Sequence, residues 1–490
     1  MIKNVSDLLE NSAIKFSKKI AVVDCDTSIT YSDLYNTSLK IASEILRLNL
    51  KKKPVLIVLP KGVDAICAFF GVAISGNFYS IVDENTPEER LKSICSILKP
   101  GLIISNRKLD DFEINLLSTE CFDSYLLDKI LIEQAKKTQI DTDLCYTLFT
   151  SGSTGVPKGV SIMHKSVIDY VSWVCETFNV TSDEKLVNQA PFYFDNSVLD
   201  IYASIMAGAE LHIIKNTEFI FANRVLAYLQ KHQISMIFWV PSVLVYFANL
   251  RVKLDLPNLK KVLFCGEIMP NKQLNFWRKA LPDTLFANLY GPTEITDVCS
   301  YYICNRDFKD EEILPIGQAC KNTELLVFDE NLKLVTDPFV KGELYVRGTG
   351  LSVGYYANLE KTNEAFIQNP LQNNYREFIY KTGDIVAYNE NMELLCYGRI
   401  DSQIKIAGHR VELGEIESLT NSINGVKNAI CLFKNEIISL FYEGKAEQNI
   451  VEFLKSRLPH YMMPKKIIEV EKFSLNQNGK IDRKALYEKI

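Results

Sequence analysis

The stretch from Leu148 to Val160, LFTSGSTGVPKGV, constrains this chain more than any other. A hydrophobic run, Cys145 to Phe149, enters a segment in which Thr150, Ser151, Ser153 and Thr154 alternate with Gly152 and Gly155, followed by Pro157, Lys158 and Gly159. That order predicts a strand feeding an anion-binding loop. Glycine permits positive φ and close backbone approach, so consecutive N–H groups can turn toward one anion while hydroxyls and a lysine add donors and charge. It is not the Walker A loop, because Lys158 precedes a glycine where that motif needs Gly-Lys followed by Ser or Thr. Taken alone, the segment also reads as a Gly/Ser surface loop.

A chain of 490 residues is too long for one compact core and suits two or three domains. With 47% hydrophobic and 23% charged residues it is an ordinary globular composition, without a disorder signature. The net charge of -5, with no dominant basic run, argues against nucleic acid as a partner. The 12 cysteines are scattered without a CxxC pair, and the five histidines, His164, His212, His232, His409 and His460, have no metal-like spacing. Both sets read as structural, in a reducing compartment. The N-terminal MIKNVSDLLENSAIKF has helical spacing and lacks a signal-peptide core, and the longest apolar stretch, Ala65 to Ile74, is short of the roughly 20 residues that span a bilayer. Stable membrane insertion is therefore not expected, and the expected location is the cytoplasm.

Strand-like and helix-like segments alternate along the chain: Val55–Leu59, Ala65–Ile74, Tyr79–Val82, Glu88–Leu98 and Leu102–Ile104 read as βαβαβ. The pattern resumes after the loop, with strands at Leu211–Ile214, Met236–Val240, Lys261–Phe264 and Leu285–Leu289 and helices at Arg224–Gln230 and Lys272–Ala280. From about Leu314 to Tyr397, strands separated by turns suggest an antiparallel, barrel-like unit. Beyond Asp401 the order is strand, helix, strand, strand, helix, strand. The expected class is α/β: a large N-terminal domain, residues 1–398, of two doubly wound sheets plus a β-barrel-like subdomain, a hinge at 399–402, and a small mobile α+β lid at 403–490.

Further motifs follow the loop in order: APFYFDNS (Ala190–Ser197), FCGE (Phe264–Glu267), NLYGPTE (Asn288–Glu294), YKTGD (Tyr380–Asp384), GRIDSQIKIAGHRVELGE (Gly398–Glu415), LPHYMMP (Leu458–Pro464) and NGKIDRK (Asn478–Lys484). The set resembles the adenylate-forming superfamily, specifically the amino-acid adenylation domains of nonribosomal peptide synthetases. Within that group it is most similar to the freestanding D-alanine:carrier protein ligases. The resemblance implies an AMP-forming ligase using ATP and Mg²⁺, with Thr150, Ser151, Gly152, Ser153, Thr154, Gly155 and Lys158 holding the β- and γ-phosphates.

A carboxylate attacking ATP also needs places for adenine, ribose and metal, and a cation at the reacting oxygens. Tyr290 offers a face for adenine and Asn288 an amide for its edge, with Gly291 and Thr293 in the same segment. Glu294 is a hard oxygen ligand for Mg²⁺. Asp384 can accept both ribose hydroxyls, and Arg399 can reach ribose or phosphate. Taken singly, Tyr290 also reads as core, Glu294 as a helix N-terminal charge and Asp384 as a turn residue. The resemblance makes Lys480 and Thr150 catalytic, Lys480 bridging substrate carboxylate and α-phosphate, where a point charge on a flexible stem suits the developing charge. It makes Asp401 the hinge about which the lid turns between two half-reactions.

Carried over residue by residue, the substrate pocket comprises Asp195, Asn196, Leu199, Phe238, Leu263, Cys265, Leu289, Asp297, Val298 and Lys480. Asp195 pairs the substrate ammonium, which favours an amino acid over the acyl or aryl tail of a CoA ligase; that ligase, and a nucleotide-binding module without turnover, are the alternatives. The bulk of Phe238, Leu263, Cys265 and Leu289 favours a small amino acid, alanine in either configuration first. Asn196 and Asp297 depart from the D-alanine ligases and keep a polar or basic substrate open. The chain ends soon after NGKIDRK, so the expected acceptor is the phosphopantetheine thiol of a separate acyl carrier protein, meeting lid residues such as Lys465 and Lys466.

Overall fold

The alternation of apolar runs and amphipathic segments produces, in a computed structural model, several mixed and antiparallel sheets covered by helices. The structure describes residues 2–25, 27–109, 112, 114–152, 156–400, 403–474 and 486–487. It divides into two compact units, one of Met1–Glu84, Lys99–Leu148 and Val160–Ile400, the other of Asn85–Leu98, Phe149–Gly159 and Asp401–Ile490.

The first unit is built on a nine-stranded sheet. In spatial order its strands are Gln318–Ala319, Ser300–Ile303, Leu285–Tyr290, Lys261–Cys265, Met236–Trp239, Lys185–Asn188, Glu210–Ile213, Ile20–Asp24 and Thr27–Thr30. Its interior is parallel, and antiparallel strands close both edges. Side chains alternate across it. Ile237, Trp239, Val262, Phe264 and Phe286 enter one core, while Phe238, Leu263, Cys265, Ala287 and Leu289 enter another, as the two-residue period of a strand dictates. The N-terminal hairpin is not among the segments expected from sequence: Ile20–Asp24 pairs parallel with Glu210–Ile213, almost two hundred positions away.

A six-stranded sheet holds Asn115–Leu117, Leu102–Ser105, Pro54–Val58, Phe78–Val82, Leu144–Thr150 and Lys158–Met163, so the strand predicted to feed the anion-binding loop does so. Helix Val63–Ile74 shows why a long apolar run occurs here. All ten residues from Ala65 to Ile74 are buried, so the helix is apolar all round because it is enclosed all round. Among the described residues, no helix is long and apolar enough to cross a membrane. From Thr323 to Arg399 the barrel-like stretch forms an antiparallel five-stranded sheet, with register shifts between Glu343 and Tyr345 and between Ile385 and Val386 that curl it.

In the second unit, strands Val426–Lys434, Ile437–Gly444 and Lys466–Val470 form one sheet. Helix Leu413–Asn421 packs on it around Ile416, Cys431, Leu440, Leu454 and Met462, all fully buried or nearly so. A two-stranded hairpin, Gln403–Ile406 with His409–Glu412, leads into that helix.

Candidate active site

In the first unit, the strand Leu285–Tyr290 carries Asn288 and Tyr290 to its C-terminal end, where open α/β sheets place their ligands. The Tyr290 hydroxyl donates to Asp384 Oδ2 at 2.5 Å, and Arg399 Nη1 reaches the same oxygen at 3.3 Å. Asp384 and Arg399 stand directly opposite on the antiparallel strands Phe378–Tyr388 and Leu394–Arg399, which fixes their approach. Burial, and then the negative field of Asp384, push the Tyr290 phenol well above its ordinary range, so it donates at every working pH. Both donors converge on Oδ2. Asn288 Nδ2 donates to the Pro315 carbonyl at 2.8 Å, so the amide nitrogen fixes the strand end to the next segment.

Just beyond, Gly291 allows a close approach: a Cβ there would lie 2.3 Å from the Asp297 carbonyl oxygen. The chain then turns through Thr293–Ile295 and places Thr296 and Asp297 in consecutive left-handed conformations, φ +59° and +73°. Such backbone costs on the order of 1–3 kcal/mol per residue and persists where the surroundings over-determine it. Glu294, fully buried, accepts from the Tyr355 hydroxyl at 2.8 Å, and Asp297, 1% exposed, from the Tyr170 hydroxyl at 2.7 Å. No cluster of three or more metal-ligating side chains occurs among the described residues. A lone carboxylate such as Glu294 suits Mg²⁺, which usually takes one or two carboxylates and completes its octahedron with phosphates and water.

The apolar positions predicted for the substrate pocket come together on one face of the nine-stranded sheet. Phe238 stands opposite Leu263 and Cys265 opposite Leu289 in register, and Leu199 and Val298 join the same core. Asp195 opens the short helix Asn196–Val198, its carboxylate accepting from the Asn196 N–H at 3.0 Å, and a π-helical turn, Leu199–Ala203, follows. That turn was not legible in the sequence. Nor was the buried network behind it, in which Asn188 Nδ2 donates to Asp200 Oδ2 at 3.0 Å and Lys61 Nζ to Asn188 Oδ1 at 3.3 Å.

In the second unit the anion-binding loop displays its donors to carboxylates and carbonyls. The Ser151 hydroxyl donates to Arg410 O and accepts from Glu412 N–H, each at 3.0 Å. Gly152 N–H donates to Glu415 Oε2 at 3.3 Å, and Lys158 Nζ lies 3.8 Å from Glu412 Oε1. Glu415 also pairs with Arg90 at 2.9 Å; burial pushes its carboxyl up, against the pull of that guanidinium. Thr150 Oγ1 meets Lys158 O at 3.5 Å. Gly152 is required sterically, since a Cβ would fall 2.0 Å from Val156 O. Gly152 N–H and Lys158 Nζ face carboxylate oxygens, and phosphate oxygens can take the same donors. Of the predicted residues, Ser153, Thr154, Gly155, Asp401 and Lys480 lie outside the described residues.

The fold and this arrangement define an adenylate-forming scaffold, and the chain belongs to the AMP-binding enzyme family, which it matches over residues 9–356. It is similar to a linear gramicidin synthase of Brevibacillus parabrevis, 32% identical over 98% of this chain but spanning 6% of that much longer protein. It is 31% identical to the D-alanine--D-alanyl carrier protein ligase of Bacillus cytotoxicus, with 98% of each chain covered. In fold it is similar to a nonribosomal peptide synthetase protein containing adenylation and PCP domains, bound to a vinylsulfonamide inhibitor. That match has a TM-score of 0.87 and 21% identity, and it covers all of this chain and 84% of the other.

Proposed function

We propose that this protein activates a small amino acid with ATP to the aminoacyl-adenylate, releasing pyrophosphate, and passes it to the phosphopantetheine thiol of a carrier protein, in the cytoplasm. The observation that carries this reading is the convergence of Tyr290 and Arg399 on Asp384. With Oδ2 receiving both donors, Oδ1 can accept from ribose hydroxyls, and the Tyr290 ring offers its face to adenine. The side chains Thr150, Ser151 and Lys158, with Gly152 N–H, take the β- and γ-phosphates, which at Lys158 and Gly152 replace the carboxylates of Glu412 and Glu415. Glu294 would hold Mg²⁺, which supplies charge neutralisation between the phosphates.

The substrate carboxylate oxygen attacks the α-phosphorus, the bond to the bridging oxygen breaks, and pyrophosphate leaves. In the second step a thiolate attacks the acyl carbon and AMP departs. Lys480 is proposed as the cation at the reacting oxygens of the first step, and Asp401 as the hinge between the two. Asp195 is proposed to meet the substrate ammonium.

The test is ATP–pyrophosphate exchange with a panel of amino, fatty and aryl acids, followed by loading of carrier proteins and of coenzyme A. Amino-acid-dependent exchange, with AMP as product and a carrier protein loaded in preference to coenzyme A, is expected. Exchange driven only by fatty or aryl acids, or ADP as product, would sink the reading. Lys480→Ala should abolish exchange while transfer from supplied aminoacyl-adenylate persists; equal loss of both would refute the division of labour.

A further inference from the structure

The proposed reaction makes no use of a buried polar chain in the first unit that ends beside the predicted substrate pocket. Lys61 Nζ donates to the Gln189 carbonyl at 2.9 Å and to Asn188 Oδ1 at 3.3 Å, and Asn188 Nδ2 donates to Asp200 Oδ2 at 3.0 Å. Asn188 is fully buried and Asp200 is 1% exposed. Asn188 ends the strand Lys185–Asn188, in register between Ile213 and Phe238 of the neighbouring parallel strands. Paired residues of parallel strands point to one face, and the residues just before them, Val187 and Ile237, enter the core on the other side. The Asn188 side chain therefore stands beside that of Phe238.

Asp200 directly follows Leu199 in the π-helical turn Leu199–Ala203, a rare geometry that recurs at functional sites. The turn is braced on a second side, where the Tyr202 hydroxyl lies 2.8 Å from that of Tyr79 in the strand Phe78–Val82. Covalent and hydrogen bonds thus run without a gap from Leu199 through Asp200 and Asn188 to the strand end beside Phe238. Burying an amide and a carboxyl carries a cost that apolar residues of similar size would avoid. Apolar contact has no direction, however, whereas a hydrogen bond sets a distance and an angle. Burial pushes the Asp200 carboxyl well above the usual carboxylate range, against the opposing pull of Asn188 and Lys61. At neutral pH it is the protonated acid, which a carboxamide matches in shape and in its acceptor oxygen.

We propose that Asn188 and Asp200 are positioning residues for substrate selection: their hydrogen bond holds the π-helical turn, and with it Leu199, at a fixed distance from Phe238, and so sets the length of side chain that the pocket admits. Both act through Leu199 without needing to touch the substrate. Lys61 orients the Asn188 amide by occupying its oxygen, which turns the nitrogen toward Asp200. The proposal rests on the amino-acid-activating reading above.

The experiment measures kcat/KM for ATP–pyrophosphate exchange on the full chain with glycine, alanine, 2-aminobutyrate, norvaline and norleucine, and takes the ratio of the preferred member to the one a methylene longer. In the wild type that ratio should be about tenfold or more, the worth of one methylene in a closed pocket. Asp200→Leu and Asn188→Leu should bring it near one, with Asn188→Ala serving where a leucine variant does not fold, and Asp200→Asn should keep it. Leu274→Ala, in the opposite core, also loses packing and should leave it unchanged. Each ratio is taken within one preparation, so partial misfolding does not distort it. A wild type indifferent to length, an unchanged ratio in Asp200→Leu and Asn188→Leu, or an equal loss in Asp200→Asn or Leu274→Ala would overturn the proposal. Wild-type exchange with no amino acid but with another acid would instead overturn the amino-acid reading on which it rests.

Discussion

Acidification below the ordinary histidine range should destabilise the first unit through His164. This residue begins the helix His164–Thr177, which carries Tyr170. Its ring is fully buried, with the Val5 N–H donating to Nδ1 at 3.4 Å and Asn4 Nδ2 lying 3.2 Å from Nε2. Asn4 is itself held by Ala73 O and Gln139 Oε1, so it cannot turn away without losing those bonds. An imidazolium would also sit at the positive end of the helix dipole. Burial accordingly holds the pKa down at about 4 from an ordinary 6.5, with Asp143 opposing weakly.

Between those two values the unfolded chain binds a proton that the folded chain does not, so stability rises with pH across this window. The contribution is complete above 6.5 and is lost as pH falls through about 4. At about 1.4 kcal/mol per pH unit, the gap of about 2.5 units sets an upper limit near 3.5 kcal/mol. Proton NMR of the five histidines, compared with His164→Gln, should assign one resonance that does not titrate above about pH 5. Urea midpoints at about pH 7.5 and 4.5 should fall further for the wild type than for the variant, the difference amounting to about 2–3 kcal/mol. A His164 titration near 6.5, or identical acid sensitivity in His164→Gln, would refute this account of the helix start.

Gly152→Ala must push the loop away from Val156 O, and should raise the KM for ATP by about tenfold or more with little change in the KM for the acid substrate; equal effects on both would be inconsistent with a phosphate role. Glu294→Gln keeps an oxygen for the Tyr355 hydroxyl, so the fold should survive while Mg²⁺-dependent exchange drops by about 100-fold, measured as kcat/KM against Mg²⁺ concentration. Tyr290→Phe removes one of two donors on Asp384 and should weaken ATP binding only several-fold, because Arg399 remains; isothermal titration with a non-hydrolysable ATP analogue reads this directly.

Local features were legible because their causes are local. The helix read over Glu88–Leu98 spans those residues, and the strand entering the loop was visible from one apolar run beside glycines. What the sequence hid was distant pairing. Nothing in IAVVD says that it lies beside ELHI rather than beside its own neighbours. The site divides the same way. Residue types at Tyr290, Glu294 and Asp384 raise the expectation of a nucleotide site, but that Tyr290 and Arg399 meet on one carboxylate oxygen depends on three strands, the first far from the other two along the chain. The turning of Asn288 toward Pro315, and the engagement of Ser151 and Gly152 by the segment Arg410–Glu415, are likewise set by tertiary geometry.

The nine-stranded sheet separates two kinds of mutational freedom at a spacing of a single residue. In Met236–Trp239 and Lys261–Cys265, odd positions of one strand and even positions of the next face a large aromatic core, where any change in volume is felt as lost stability. Their immediate neighbours, Phe238, Leu263 and Cys265, face the other way. On the proposed amino-acid reading, exchanging those neighbours would resize the pocket while the residues on either side of them keep the strand in register.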